Sequence, residues 1–216
     1  MHLRSITLLL CLGALAGCEP TVGNGTEARE TRTVGPFTGV LTQDLVRVEV
    51  IVGDLTGIGI VADANLLELG LIQTEIQGDT LFVGAVSDID PVVPPEVTIG
   101  TSALDFISAR EQGTAALAHR VAAQRFGAAA SDGAYLQVGG TCETLTAIAS
   151  EHAHLDLRAL RCEDARIDVQ GGSLVEITAT GHVEVNASGE SSVRISGNPT
   201  QVDRYLTDDS TLELVP

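Results

Sequence analysis

Leu155-Asp156-Leu157, Val175-Glu176-Ile177 and Val193-Arg194-Ile195 are three copies of one pattern: an apolar residue, a charged one, an apolar one. Working outward, Leu136-Gln137-Val138 and Leu212-Glu213-Leu214 repeat it, and Leu117-Ala118-His119 stands where a further copy is due. The leading positions Leu117, Leu136, Leu155, Val175, Val193 and Leu212 are 19, 19, 20, 18 and 19 residues apart. Apolar-polar-apolar alternation is the pattern of a strand with one buried face. A single such unit cannot bury its own inward side chains. A stack of units can, with successive coils paired as parallel strands about 4.8 Å apart. The spacing therefore predicts an all-β fold: a parallel β-helix or β-solenoid of coils about 19 residues long, over residues 99–216. An antiparallel sandwich with evenly spaced turns is the competing arrangement.

A second side shows the same period in Ile148, Ile167, Val185 and Tyr205, read as inward-facing, with a polar corner column in Ser131, Ser150, Gln170, Ser188 and Thr207. Cys142 and Cys162 follow Leu136 and Leu155 by six and seven residues, so coil stacking puts them side by side. Neighbouring strands lie within the Cα separation that a disulfide accepts, and an even pair outside the cytoplasm is expected to bridge. Two free buried thiols are the alternative.

Composition agrees with stacked strands. The chain has 216 residues, 23 Gly, no Trp and 3% aromatics, and its apolar mass is Val, Ile, Leu and Ala. Like residues piled on like need little aromatic bulk. The net charge is −17 and every basic residue is Arg. So acidic a surface repels nucleic acid and anionic lipid, and both are discounted as partners.

The amino terminus gives an address. His2 and Arg4 precede an apolar run from Ile6 to Ala16, too short to span a bilayer as a mature helix. Leu15-Ala16-Gly17-Cys18 closes it and resembles the lipobox of a bacterial lipoprotein. That resemblance implies cleavage between Gly17 and Cys18 and acylation of Cys18, palmitate included. An ordinary cleaved signal is the alternative. Residues 1–17 are thus expected as a signal peptide and 18–33 as a lipidated Cys with a flexible tether. The expected setting is the cell envelope, on the outer membrane in a Gram-negative host. Residues 34–98 alternate as a smaller β-rich part, with Val46, Val48 and Val50 on one face and a turn at Gly78-Asp79. Ala62 to Leu69 reads as a short helix, and Asp88 to Pro95 as a surface crossing.

Several segments are similar in order to one bacterial family. They are Arg32-Thr33-Val34-Gly35-Pro36-Phe37-Thr38-Gly39-Val40, then Gly78-Asp79-Thr80-Leu81-Phe82-Val83, then Pro95-Glu96-Val97-Thr98-Ile99-Gly100 with Leu104, and finally Gly197-Asn198-Pro199-Thr200-Gln201-Val202-Asp203 with Ser210-Thr211-Leu212. They resemble the family described as putative auto-transporter adhesin, head GIN domain. The resemblance covers residues 32–216 and makes 34–216 one continuous domain. It implies a β-solenoid in a cell-envelope setting. The Cys142/Cys162 pair departs from the family, as do Asp132-Gly133 and His152, where members often carry a Ser-Gly turn.

No Gly-x-Ser-x-Gly elbow, phosphate loop, His-Glu-x-x-His or Cys-x-x-Cys occurs. Asp156 and Glu176 fall on adjacent coils in an outward column, near Arg158 and Arg194. Stacked carboxylates can hold a hard cation or share a proton, but they also form an ordinary solvated ladder. His152 and His154, two apart and read as facing one way, are candidate zinc or copper ligands lacking a third. His119 is read as a core or end-coil residue. The expected function is a non-enzymatic, lipid-anchored envelope protein without cofactors, whose rigid solenoid binds protein or glycan. A β-helix enzyme acting on polysaccharide and an envelope scaffold with no external ligand are the alternatives.

Overall fold

In the computed structural model, which describes residues 19–112 and 114–215, eighteen strands and one short helix follow the chain. The first half holds β1 (Thr21–Val22), β2 (Glu27–Arg32), β3 (Gly39–Thr42), β4 (Arg47–Val52), β5 (Gly57–Asp63), α1 (Ala64–Glu68), β6 (Ile72–Gln77), β7 (Thr80–Ala85), β8 (Ile89–Asp90) and β9 (Glu96–Thr101). The second holds β10 (Phe106–Arg110), β11 (Ala115–Ser131), β12 (Tyr135–Ala149), β13 (His154–Val169), β14 (Leu174–Ala179), β15 (His182–Ala187), β16 (Ser192–Ser196), β17 (Gln201–Leu206) and β18 (Thr211–Leu214). No helix among the described residues is long and apolar enough to cross a membrane.

β13 shows how one coil is made. Its buried and exposed residues alternate, but the alternation breaks at two doubled exposed pairs, 158–159 and 163–164. Strict alternation belongs to a straight strand, so each doubled position marks a bend. The coil thus has a first face (154–157), a short second face (160–162) and a third face (165–169). A turn at 170–173 leads to the next coil.

Successive coils pair in parallel. On the first face the inward column is Val48, Ala116, Leu136, Leu155, Val175, Val193 and Leu212, each in register with the next. On the third face one inward column is Leu81, Val40, Ile107, Ala128, Ala147, Ile167, Val185 and Arg204. As far as Val193 and Val185 these columns build one continuous core, with Leu212 packed against it and Arg204 exposed at the last coil. The mostly parallel β-solenoid expected from the period is the fold.

Turns between the third and first faces repeat as well. Asp44-Leu45, Asp132-Gly133, Glu151-His152, Gly171-Gly172, Gly189-Glu190 and Asp208-Asp209 all have positive φ. From Gly133 onward the stacked turns are joined by backbone bonds, as in His152 N–H to Gly171 O at 2.8 Å and Gly172 N–H to Gly189 O at 2.7 Å. Left-handed backbone is unstrained in Gly and costs about 1 kcal/mol in other residues, so Gly171-Gly172 is the relaxed member. The polar column Ser131, Ser150, Gln170, Ser188 and Thr207 lies just before these turns, consistent with the bonds Ser150 N–H to Ala130 O, Gln170 N–H to Ala149 O, Ser188 N–H to Val169 O and Thr207 N–H to Ala187 O.

The β-rich first part is built out of chain order. β3 and β4 form a coil lying between β7/β9 and β10/β11. After β9 the chain steps back past that coil to reach β10. Beyond the outermost coil, β5 pairs antiparallel with β9, β2 with β5, and β6 with β7. The short helix expected within 62–69 is α1, which buries Leu66. Asp63, fully buried, accepts bonds from the N–H groups of Gly25 (2.6 Å), Val92 (2.9 Å) and Val93 (2.9 Å).

Three sequence expectations need correction. Leu117 and His119 do not occupy the inward columns: Ala116 and Ala118 do, because β11 carries an irregularity between Ala118 and Val121 that shifts the register. Ile148 and Tyr205 point outward, since Ala147 and Arg204 take the inward places. The tether expected over 18–33 is not free chain from residue 21 onward. β1 pairs with β8 and β2 with β5, fixed there by the Asp63 bonds.

Candidate functional site

Register brings together the four first-face residues singled out from sequence. Asp156 and Glu176 are direct partners across β13 and β14, and Arg194 follows Glu176 on β16. Arg158 folds back over its own strand and donates twice to Asp156, at 2.9 and 2.8 Å. Arg194 donates to Glu176 at 3.3 Å and to Glu213 at 3.3 Å. His154 Nε2 lies 3.2 Å from Glu176 Oε2, and the ring of Tyr135 meets His154 edge-on at 5.2 Å. Although they stand in an outward column, Asp156 and Glu176 are buried under these side chains.

The electrostatics match the geometry. Hydrogen bonds from the Arg158 guanidinium hold the Asp156 carboxyl below its ordinary range, and the same pair raises Arg158. Burial, with Asp156 and Glu176 nearby, pushes Tyr135 up. A general acid for glycoside cleavage needs the opposite, a carboxyl whose pKa is raised. Asp156 is thus held ionised in a satisfied ion-pair network.

The third face differs. Ile148, Asp168, Asn186 and Tyr205 are register partners on four successive coils, all pointing outward. They span about 14 Å at the usual strand spacing. Ile148 is 47% exposed and Tyr205 63%. Between them Asn186 Nδ2 donates to Asp168 Oδ1 at 2.8 Å, and Arg166 ties Asp168 to Glu184. With Gln170, Ser188 and Thr207 of the corner column these residues line an open groove of about 320 Å³. Below it His182 meets Asp203 at 2.8 Å and lowers its carboxyl pKa. The groove thus offers one aromatic ring, one aliphatic side chain and a row of hydrogen-bonding groups.

The other sequence candidates are placed as follows. Cys142 and Cys162 are register partners joined by a disulfide, with Cα atoms 4.5 Å apart on the second face. His152 sits on the left-handed turn while His154 begins β13 against Glu176, so they do not share a strand face. Among the described residues no group of three or more His, Cys, Asp or Glu stands where it could hold a metal. His119 faces outward, 3.4 Å from Glu49. Gly17 and Cys18 lie outside the described residues. Sequence reasoning missed the groove because it placed Ile148 and Tyr205 inside. The alternation Ile167-Asp168 and Val185-Asn186 was the signal that puts residue 148 in the outward column.

Among proteins of curated function none matches this chain in sequence. Solved structures share its fold. A protein of Bacteroides fragilis described as a putative adhesin superposes with a TM-score of 0.71 at 14% identity, over 90% of this chain and 99% of that one. Another so described, from Parabacteroides merdae, gives 0.59 at 16% identity, over 91% and 99%. A protein of Parabacteroides distasonis described as a putative lipid binding protein gives 0.51 at 12%, over 92% and 100%. At such identities the likeness concerns the fold alone. The model of one family matches residues 36–199, from the loop before β3 to the one before β17. On that match, and on the stacked coils that carry it, the chain belongs to the family described as putative auto-transporter adhesin, head GIN domain.

Proposed function

We propose that this protein is a lipid-anchored, non-enzymatic component of the cell envelope whose solenoid displays a binding face for protein or glycan. The observation that carries the reading is the contrast between its two long faces. The first face spends its charges on itself, with both buried carboxylates engaged by Arg158, Arg194 and His154. The third face leaves Tyr205 and Ile148 exposed on either side of a polar groove. Aromatic side chains beside fixed hydrogen-bonding groups are what binding surfaces use. Lipid attachment at Cys18 rests on the sequence Leu15-Ala16-Gly17-Cys18. For a Gram-negative host the proposed location is the outer membrane.

The test is a binding screen of the immobilised full chain against glycan arrays and intact cell surfaces, repeated with Tyr205→Ala and Ile148→Ser. Each substitution is expected to weaken binding at least ten-fold and to leave the melting temperature unchanged, since both side chains are exposed. Binding that survives both substitutions would remove the groove as the site.

A further inference from the structure

The folded structure begins almost at the anchor. In sequence only Glu19 and Pro20 separate Cys18 from β1, a reach of about 11 Å when fully extended. β1 is itself held fast. It pairs with β8, and its Val22 carbonyl accepts from Asn65 Nδ2 at 2.9 Å. Asn24 N–H donates to Asn65 Oδ1 at 2.9 Å and Gly25 N–H to the buried Asp63. A lipid on Cys18 therefore has no long stalk, and the start of β1 stays within about 11 Å of the anchored residue.

That end also carries exposed apolar side chains. Val22 is 57% exposed, Val92 60%, Val86 50% and Leu45 47%. Pro20, Leu45 and Val86 line one depression, and Val92 lies beside Gly25 in the β1–β2 connection. Leu45 has a further peculiarity. It holds the second left-handed position of its turn (φ 62°), where the equivalent residues of later turns are Gly133, His152, Gly172, Glu190 and Asp209. A bulky apolar residue kept both strained and exposed points to a use outside the core. Asp44, Asp88 and Glu111 in the same depression disfavour an anionic surface and leave a zwitterionic one.

Resting on the anchor at Cys18, we propose that Val22, Leu45, Val86 and Val92 form the surface by which this end of the solenoid lies on a zwitterionic bilayer. The later coils then project away from it.

The experiment uses the full acylated chain in phosphatidylcholine vesicles. An environment-sensitive fluorophore is attached at Val86→Cys, at Val92→Cys or, as the distal control, at Asp209→Cys, and headgroup-quencher lipid is added. Quenching at 86 and 92 is expected to exceed that at 209 at least two-fold. Palmitate incorporation, with Cys18→Ser as its control, is read on the same samples. Incorporation with equal quenching at the three positions would overturn this surface and leave the anchor standing. Failure to incorporate palmitate would overturn both. Labels shielded from water but not quenched by lipid would overturn it in favour of a second copy of the chain on the same patch.

Discussion

At one end of the stack the chain closes its core with backbone of the opposite direction: β5 on β9, β2 on β5 and β6 on β7. At the other end, among the described residues, β17 pairs only with β15 and β18 only with β16, and Val202, Leu206 and Leu212 are only partly covered. There Arg204 takes the inward place that Val185 and Ile167 hold in the coils before it, and Asp208 and Asp209 occupy the last turn. Inward charges on an edge are a known device against edge-to-edge pairing. Antiparallel strands thus cover one end, and a charged residue stands in an inward register position at the other. An end fastened by Asp63 suits attachment, and the end bearing Arg204 suits projection into solvent.

That contrast can be broken from the closed side. Asp63→Ala removes the acceptor for three backbone donors in a fully buried position. We expect a loss of about 4 kcal/mol in denaturant unfolding, with amide exchange rising first in 21–26 and 91–93. Uniform destabilisation of β17 and β18 instead would deny that Asp63 fastens only the closed end. Next in size, replacing Cys142 and Cys162 by Ser opens a bridge of sequence separation 20. The expected cost is about 3 kcal/mol, read from the shift in the urea midpoint.

Smaller changes sharpen the comparison. Thr42 sits in the inward column between Val83 and Ala109, and its hydroxyl is buried without a partner. Thr42→Val is expected to stabilise by about 1 kcal/mol, measured by thermal unfolding. Asp156 has a folded pKa below its ordinary value, so its contribution is present at neutral pH and is lost as pH falls through the lowered value. The melting-temperature gap between the wild type and Asp156→Asn should therefore narrow as the pH drops below about 4. Arg204→Leu should leave monomer stability nearly unchanged and produce end-to-end association in sedimentation velocity. A monomer at all concentrations would deny the charge its protective role.

How far the sequence could be read depended on side-chain size. From Leu136 onward the first-face columns were legible, because a large apolar residue marks every inward position. Ala116 and Ala118 broke the pattern, since inward Ala beside an outward Leu117 looks like its reverse. Ala147 beside Ile148 failed in the same way, and that error hid the groove. The out-of-order coil of β3 and β4 left no trace, because local alternation does not say which strand lies next to which. The Asp63 bonds were equally invisible, as they join residues 29 to 38 positions apart. Asp156, Glu176, Arg158 and Arg194 were legible as neighbours, but the burial of the two carboxylates needed coordinates.

Display from the envelope, as proposed, requires the coils farthest from Cys18 to project outward. The most direct measurement inserts an epitope between Asp208 and Asp209, in the last turn, and compares antibody binding on intact and permeabilised cells. Display for adhesion requires staining of intact cells at nearly the permeabilised level, lost in a Cys18→Ser variant. Staining that appears only after permeabilisation would contradict the account and confine the solenoid behind the outer membrane.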